Sequence, residues 1–174
     1  DNLVLGSGGV RELLRLERTE GYIANFLSNF KFEPVDTMVV YSHGGMNAAG
    51  IEVALHAKSL GLKVVVVTSL DNARISRATH SSGKKLADVG DVAIDNCCPP
   101  QDSLVEIEGG PVAASSTLAV IAISMALVAE TAARLHARGV KFRAFVSPNV
   151  AAVGPDNNQR VFDEYIQKLA PRLR

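Results

Sequence analysis

Apolar positions along the chain fall into two alternating patterns. Residues 38–41 form a short, wholly apolar run after the turn signal KFEPVD, and KVVVVTS at 63–69 is a β-branched run closed by polar residues. Continuous runs of this kind suit strands buried on both faces, hence a parallel sheet. DVAID at 91–95 and KFRAFVS at 141–147 are further strand candidates. Between them the period changes. In AAGIEVALHAKSLG, Ile51, Ala54, Leu55 and Leu60 recur at helical spacing and Gly61 supplies a stop. A long Ala-rich helix is predicted over about 116–138, another in NQRVFDEYIQKL, and a helix start in HSSGKKLADVG. An amphipathic stretch over 10–30 precedes the first clear strand.

Strands alternating with helices predict a doubly wound α/β layer fold with right-handed crossovers. No linker or repeat interrupts residues 1–174, so one domain is expected. CCPPQDSLVEIEGGPVAASS at 97–116 reads as a long Pro- and Gly-rich connection, of the kind that often carries function.

Composition narrows the classes. Hydrophobic residues make up 47% and charged residues 21%, as in a soluble globular chain. Lys+Arg and Asp+Glu are 18 each, so no global field draws nucleic acid or an anionic membrane. The most apolar helix, over 117–135, is interrupted by Ser124 and Glu130 and is expected to be a core helix rather than a membrane span. Cys97 and Cys98 are adjacent and form no disulfide framework; with no signal-peptide pattern, a cytoplasmic location is expected. The chain starts at Asp1 without Met, so a piece of a longer protein is expected.

In an open parallel sheet, ligands bind beyond the carboxyl ends of the strands. The residues there are Ser42, His43, Gly44 and Gly45, then Thr68 and Ser69, then Asn96. Ser115, Ser116 and Thr117 precede the long helix. Hydroxyls and glycines at helix starts suit a phosphate or carboxylate. Plain N-capping explains any one cluster; three on one rim favour a shared anionic ligand. The Ser-His-Gly-Gly turn also resembles an oxyanion loop, but the G-x-S-x-G elbow it would need is absent. LGSGGVREL imitates a dinucleotide fingerprint but lacks its third glycine. Of His43, His56, His80 and His136, no pair has metal-ligand spacing, so neither metal nor cofactor is expected. His80, before Ser81, Ser82 and Gly83, is equally balanced between a ligand donor and a structural role.

The stretch over 20–70, RATHSSGKKLADVGDVAIDNCCPP, SSTLAVIAISMALVAE and SPNV together resemble the sugar isomerase (SIS) domain family, in particular bacterial putative phosphoheptose isomerases and phosphosugar-binding proteins. The resemblance implies a three-layer sandwich, flavodoxin-like, with a central parallel sheet of about five strands. It also implies a homo-oligomer, dimer or tetramer, and a sugar phosphate as ligand. The phosphate turn in that family reads S-x-S-G-x-N. Here Ser42, Gly45 and Asn47 match, while Gly44 replaces the second serine. Thr68 and Ser69, and Ser115, Ser116 and Thr117, match the family's other hydroxyl clusters. Related isomerases use a Glu and a His, in a His-Glu-Gly run where Ser7, Gly8 and Gly9 stand and at a His where Asn157 stands. The family's first strand, its Gly-rich turn and a preceding helix have no counterpart. The resemblance therefore implies phosphosugar binding with weak or no isomerase activity. The alternatives are an aldose–ketose phosphosugar isomerase using His80 or Glu130, and a ligand-sensing module of a transcription regulator.

Overall fold

The computed structural model describes residues 9–149 and 154–173. They fall into two compact units. The first holds the chain up to Ser28 and Phe32–Ser124; the second holds Asn29–Lys31 and the chain from Met125 onward.

The first unit opens with α1 (Gly9–Leu16) and α2 (Tyr22–Leu27), the two halves of the amphipathic stretch. Gly21, at φ 82°, turns the chain between them. Three strands follow: β1 (Thr37–Tyr41), β2 (Lys63–Thr68) and β3 (Val92–Asp95). They form a parallel sheet in the order β1-β2-β3, with Val39 opposite Val65 and Val66 opposite Ala93. The crossover from β1 to β2 is α3 (Ala48–Ser59); α4 (Leu70–Ile75) and α5 (Leu86–Val89) lie between β2 and β3. β2 is the middle strand, and its Val64, Val66 and Val67 are buried, as a continuous valine run requires. Val40, Ile51, Ala54, Leu62 and Leu86 pack with them. Each fully buried large aliphatic side chain contributes roughly 1.5–3 kcal/mol. Asp91 fixes where β2 begins. Its carboxylate accepts from Lys58 Nζ at 2.7 Å and from the Val64 amide at 2.8 Å, tying the end of α3 to the strand.

Three expectations need correction. The 97–116 stretch is more than a connection. It contains an antiparallel hairpin, β4 (Ser103–Ile107) and β5 (Gly110–Ala114), turning at Glu108 and Gly109. Gly109, in the turn, takes a positive φ that glycine adopts without steric cost. Second, the Ala-rich helix α6 (Ser115–Ala137) matches its predicted bounds but buries none of its residues. Leu118, Ile121, Met125 and Val128 form an exposed stripe. The expected core helix lacks a covering layer among the described residues. By length and composition α6 is also the one described helix able to cross a membrane, a test that core helices pass equally.

Third, the strand expected at 141–147 is irregular. In the second unit, α7 (Asn157–Leu169) supplies side chains where a neighbouring strand would supply peptide groups. Asn158 Nδ2 donates to the Val146 carbonyl at 2.8 Å, and its Oδ1 accepts from the Val146 amide at 3.0 Å. Asn157 Nδ2 donates to the Ala144 carbonyl at 3.0 Å. With those groups satisfied by amide side chains, no ladder is required. The same unit pairs Phe30 with Leu173, and Lys31 N donates to the Arg172 carbonyl at 2.8 Å.

Candidate functional site

The turn from Ser42 to Asn47 leaves the carboxyl end of β1 and enters α3. Its carbonyls point into the protein. The His43 carbonyl accepts from Ser69 N at 3.0 Å and Thr68 Oγ1 at 3.1 Å. That of Gly44 accepts from Asn72 Nδ2 at 3.1 Å, and that of Gly45 from Leu86 N at 2.9 Å. The Met46 carbonyl accepts from Thr79 Oγ1 at 2.8 Å. Ser42 Oγ accepts from Gly45 N at 3.2 Å. Within the described residues no hydrogen bond uses the amides of Gly44, Met46 or Asn47. A run of pinned carbonyls with outward amides, at the start of a 12-residue helix, has the geometry that suits an anion. Gly45 has to be glycine: its φ is 65°, and a Cβ there would lie 2.8 Å from Thr68 Oγ1.

The other predicted residues divide. Thr68 and Ser69 are fully buried. Thr68 holds the His43 carbonyl, while Ser69 Oγ donates to the Cys98 carbonyl at 2.6 Å and caps α4 by accepting from Asn72 N. They brace the turn rather than face a ligand. Asn47 is the N-cap residue of α3, with no side-chain cap bond. Ser115 and Ser116 are claimed by Asp102. Its carboxylate accepts from Ser116 Oγ at 2.6 Å, Ser116 N at 2.7 Å and Ser115 Oγ at 3.0 Å. Burial pushes that carboxyl up, but the Ser116 and Ser115 hydrogen bonds, aided by the nearby His43, outweigh it and hold it below the ordinary range. A carboxylate thus occupies the start of α6, where a phosphate was expected. Thr117 is exposed and lines a cavity of about 270 Å³ with Tyr41, Ser42, His43 and Ser116.

His43 lies on this side of the turn. Its Nδ1 is 3.3 Å from Asn96 Nδ2, and its Nε2 is buried with no partner. His80 lies on the other side, in a second cavity of about 280 Å³ lined also by Arg18, Glu20, Met46, Asn47 and Thr79. Its side chain is only 7% exposed. Ser82 N donates to His80 Nδ1 at 3.1 Å, and Ser82 Oγ lies 2.8 Å from the same atom. In the neutral ring the proton therefore sits on Nε2. That Nε2 has no hydrogen-bond partner and lies 3.8 Å from Glu20 Oε2 and 3.7 Å from Glu52 Oε1. Glu20 accepts from the Ser81 hydroxyl and, at 2.7 Å, from its amide; these bonds hold its carboxyl below the ordinary range. Glu52 Oε1 accepts from Gly21 N at 2.6 Å, and its Oε2 is buried without a partner.

Glu20, Glu52 and Asp102 were not singled out from sequence. Glu52 had a signal, an acid one turn into the apolar pattern AAGIEVAL. Glu20 and Asp102 had none, since each meets its partners only through long-range folding. Glu130 lies on an exposed stretch of α6, paired with Arg134 at 2.6 Å. No group of His, Cys, Asp and Glu among the described residues is arranged to hold a metal ion.

A family model described as an SIS domain matches residues 1–69. A UPF0309 protein of Halalkalibacterium halodurans is 31% identical over 155 residues, covering 87% of this chain and 63% of its own length. One from Streptomyces coelicolor is 33% identical, over 88% of this chain and 62% of its own length. One from Geobacillus thermodenitrificans is 30% identical over 169 residues, covering 96% of this chain and 67% of its own length. The chain thus spans about 62–63% of the length of the first two of these relatives.

Proposed function

The chain belongs to the SIS-domain family of bacterial UPF0309 proteins, and from that premise we propose that it binds a sugar phosphate, with the phosphate on the turn Ser42–Asn47. One observation carries this reading: the carbonyls of His43, Gly44, Gly45 and Met46 are all tied inward, which leaves amides facing outward at the start of α3. Such dipoles cost no reorganisation when an anion arrives. The family's five-stranded, three-layer architecture belongs to the same proposal. β1 and β3 each have one edge to which no described strand pairs, which accommodates two further strands. A homo-oligomer belongs to it as well, supported by the exposed stripe Leu118, Ile121, Met125 and Val128. A cytoplasmic location fits the absence of a disulfide framework.

A thermal-shift titration with sugar phosphates tests the reading, since a ligand that binds only the folded state raises its melting temperature. A shift with a sugar phosphate, reduced in Ser42→Ala, is expected. No shift with any sugar phosphate overturns it.

A second reading, aldose–ketose phosphosugar isomerase, is favoured by the His80 imidazole, whose Nε2 lies 3.8 Å from Glu20 Oε2 and 3.7 Å from Glu52 Oε1. Solvent deuterium incorporated at the carbon next to the carbonyl carbon would support it; bound ligand without such exchange would rule it out.

A further inference from the structure

The cavity beside the turn Ser42–Asn47 has one permanent cation in its lining, Arg18. Its one carboxylate is Glu20, whose two oxygens accept from the Ser81 hydroxyl and amide. Met46 and Asn47 line the same cavity, and their amides make no hydrogen bond among the described residues. Backbone contacts on either side hold Arg18 in place. The Glu17 carbonyl accepts from Ala49 N at 3.0 Å, on the first turn of α3, and Gly21 N donates to Glu52 Oε1 at 2.6 Å, one turn further along. The guanidinium is anchored at one corner. Nη1 donates to the Leu14 carbonyl at 2.6 Å and lies 2.8 Å from Glu17 Oε1. Nε and Nη2 have no partner among the described residues.

We propose that Arg18 is the counter-ion of the bound phosphate, and that it makes the site select a doubly charged phosphate monoester over a singly charged ester of the same shape. The inference rests on the phosphosugar reading above and adds the residue that matches the ligand's charge. Outward amides do not make that selection alone. They are neutral donors that serve phosphate and sulfate oxygens alike, while the cost of stripping water from an anion rises steeply with its charge. Gly44 gives the turn no hydroxyl to add to them. With Glu20 in the wall and no cation, each further negative charge on a ligand would be repelled; Arg18 offsets that repulsion. A guanidinium suits the task. Its planar fork presents two N–H groups to two oxygens of one phosphate, and it keeps its charge throughout the physiological pH range. Nε and Nη2 form such a pair of donors.

Arg18 also makes the segment before α2 part of the site. Residues 17–21 are fixed to α3 by the Ala49 and Glu52 contacts, so the phosphate is held between this segment and the turn after β1.

The test uses the whole chain with glucose 6-phosphate and galactose 6-phosphate, each beside its 6-sulfate, which keeps the tetrahedral group but carries a single charge. Isothermal titration at pH 7 gives the affinities, and circular-dichroism melts without ligand check that each variant is folded. Wild type should bind a phosphate about 10-fold or more tightly than its sulfate. Arg18→Gln should weaken phosphate binding by about 10- to 100-fold, the size of a lost charge-assisted hydrogen bond. Sulfate binding should fall far less, so the preference for phosphate collapses. Arg18→Lys keeps the charge without the fork and should retain most of the preference. A purely structural role for Arg18 would weaken both esters equally, and an unchanged ratio in Arg18→Gln therefore overturns the inference. Wild-type affinity in a folded Arg18→Gln does so too. A wild type that binds phosphate and sulfate esters equally overturns it without any variant. In each of these cases the sugar-phosphate reading survives. Absence of binding of both phosphates by wild type removes the inference and the reading beneath it.

Discussion

Asp102 and Ser116 are 14 residues apart in sequence and bonded twice: the Asp102 carboxylate accepts the Ser116 hydroxyl at 2.6 Å and its amide at 2.7 Å. The contact brings the base of the β4–β5 hairpin onto the first turn of α6. It supplies negative charge where the helix dipole favours it. Asp102→Ala should cost about 1–2 kcal/mol, the usual value of a lost side-chain cap. The folded-state pKa of Asp102 lies below the ordinary value. Its contribution is therefore present above about pH 4 and is lost as pH falls through the folded-state value. Urea melts of wild type and Asp102→Ala at pH 7 and pH 3 check this, and a gap that does not narrow at pH 3 would contradict it.

The glycine pair in the turn predicts opposite outcomes for neighbouring substitutions. A side chain at Gly45 meets Thr68 Oγ1 at 2.8 Å and requires a left-handed backbone. Gly45→Ala should lower stability by about 1–3 kcal/mol and weaken sugar-phosphate binding together. At Gly44 a Cβ finds only ordinary contact, 3.5 Å from Asn72 Nδ2. Gly44→Ser should keep the melting temperature within a few degrees and tighten phosphate binding several-fold, about 1 kcal/mol for an added hydroxyl donor. Isothermal titration of both variants reads the contrast.

Asp91 couples helix to strand through charge. The Lys58 hydrogen bond, then the Val64 amide, hold its carboxyl below the ordinary range. The stabilisation is present above about pH 4 and is lost as the solution is acidified through the folded-state value. Asp91→Asn should therefore melt below wild type at pH 7, with the difference shrinking toward pH 3. Circular-dichroism melts across that range decide it.

Asn158 makes two hydrogen bonds to one residue, Val146. Asn158→Ala should release both and destabilise the second unit by about 1–3 kcal/mol, whereas Asn158→Asp should keep the bond from the Val146 amide and lose the bond to its carbonyl. Hydrogen exchange at the Val146 amide measures the difference: faster exchange is expected in Asn158→Ala, and an unchanged rate would count against the assignment.

Much of the parallel core was legible from periodicity. The valine run of β2 and the spacing of Ile51 and Ala54 on α3 need only local rules, because burial of β2 on both faces leaves an unbroken hydrophobic signature. The turn after β1 was legible for the same reason, as glycines and a serine at a strand end. The roles of the hydroxyls were not. Thr68 and Ser69 look like ligand donors in sequence but are spent on the carbonyls of His43 and Cys98, and Ser115 and Ser116 on Asp102. A hydroxyl's partner depends on which atom lies within 3 Å, and that depends on contacts across 13 to 29 residues. The setting of His80 was decided in the same way. Its tautomer follows from its near neighbour Ser82, whereas Glu20 and Glu52 reach it only after α3 packs on the sheet and the segment before α2 folds back over it. Apolar pattern alone placed the three parallel strands and α3; pairing of polar atoms, which has no periodicity, waited on the tertiary structure.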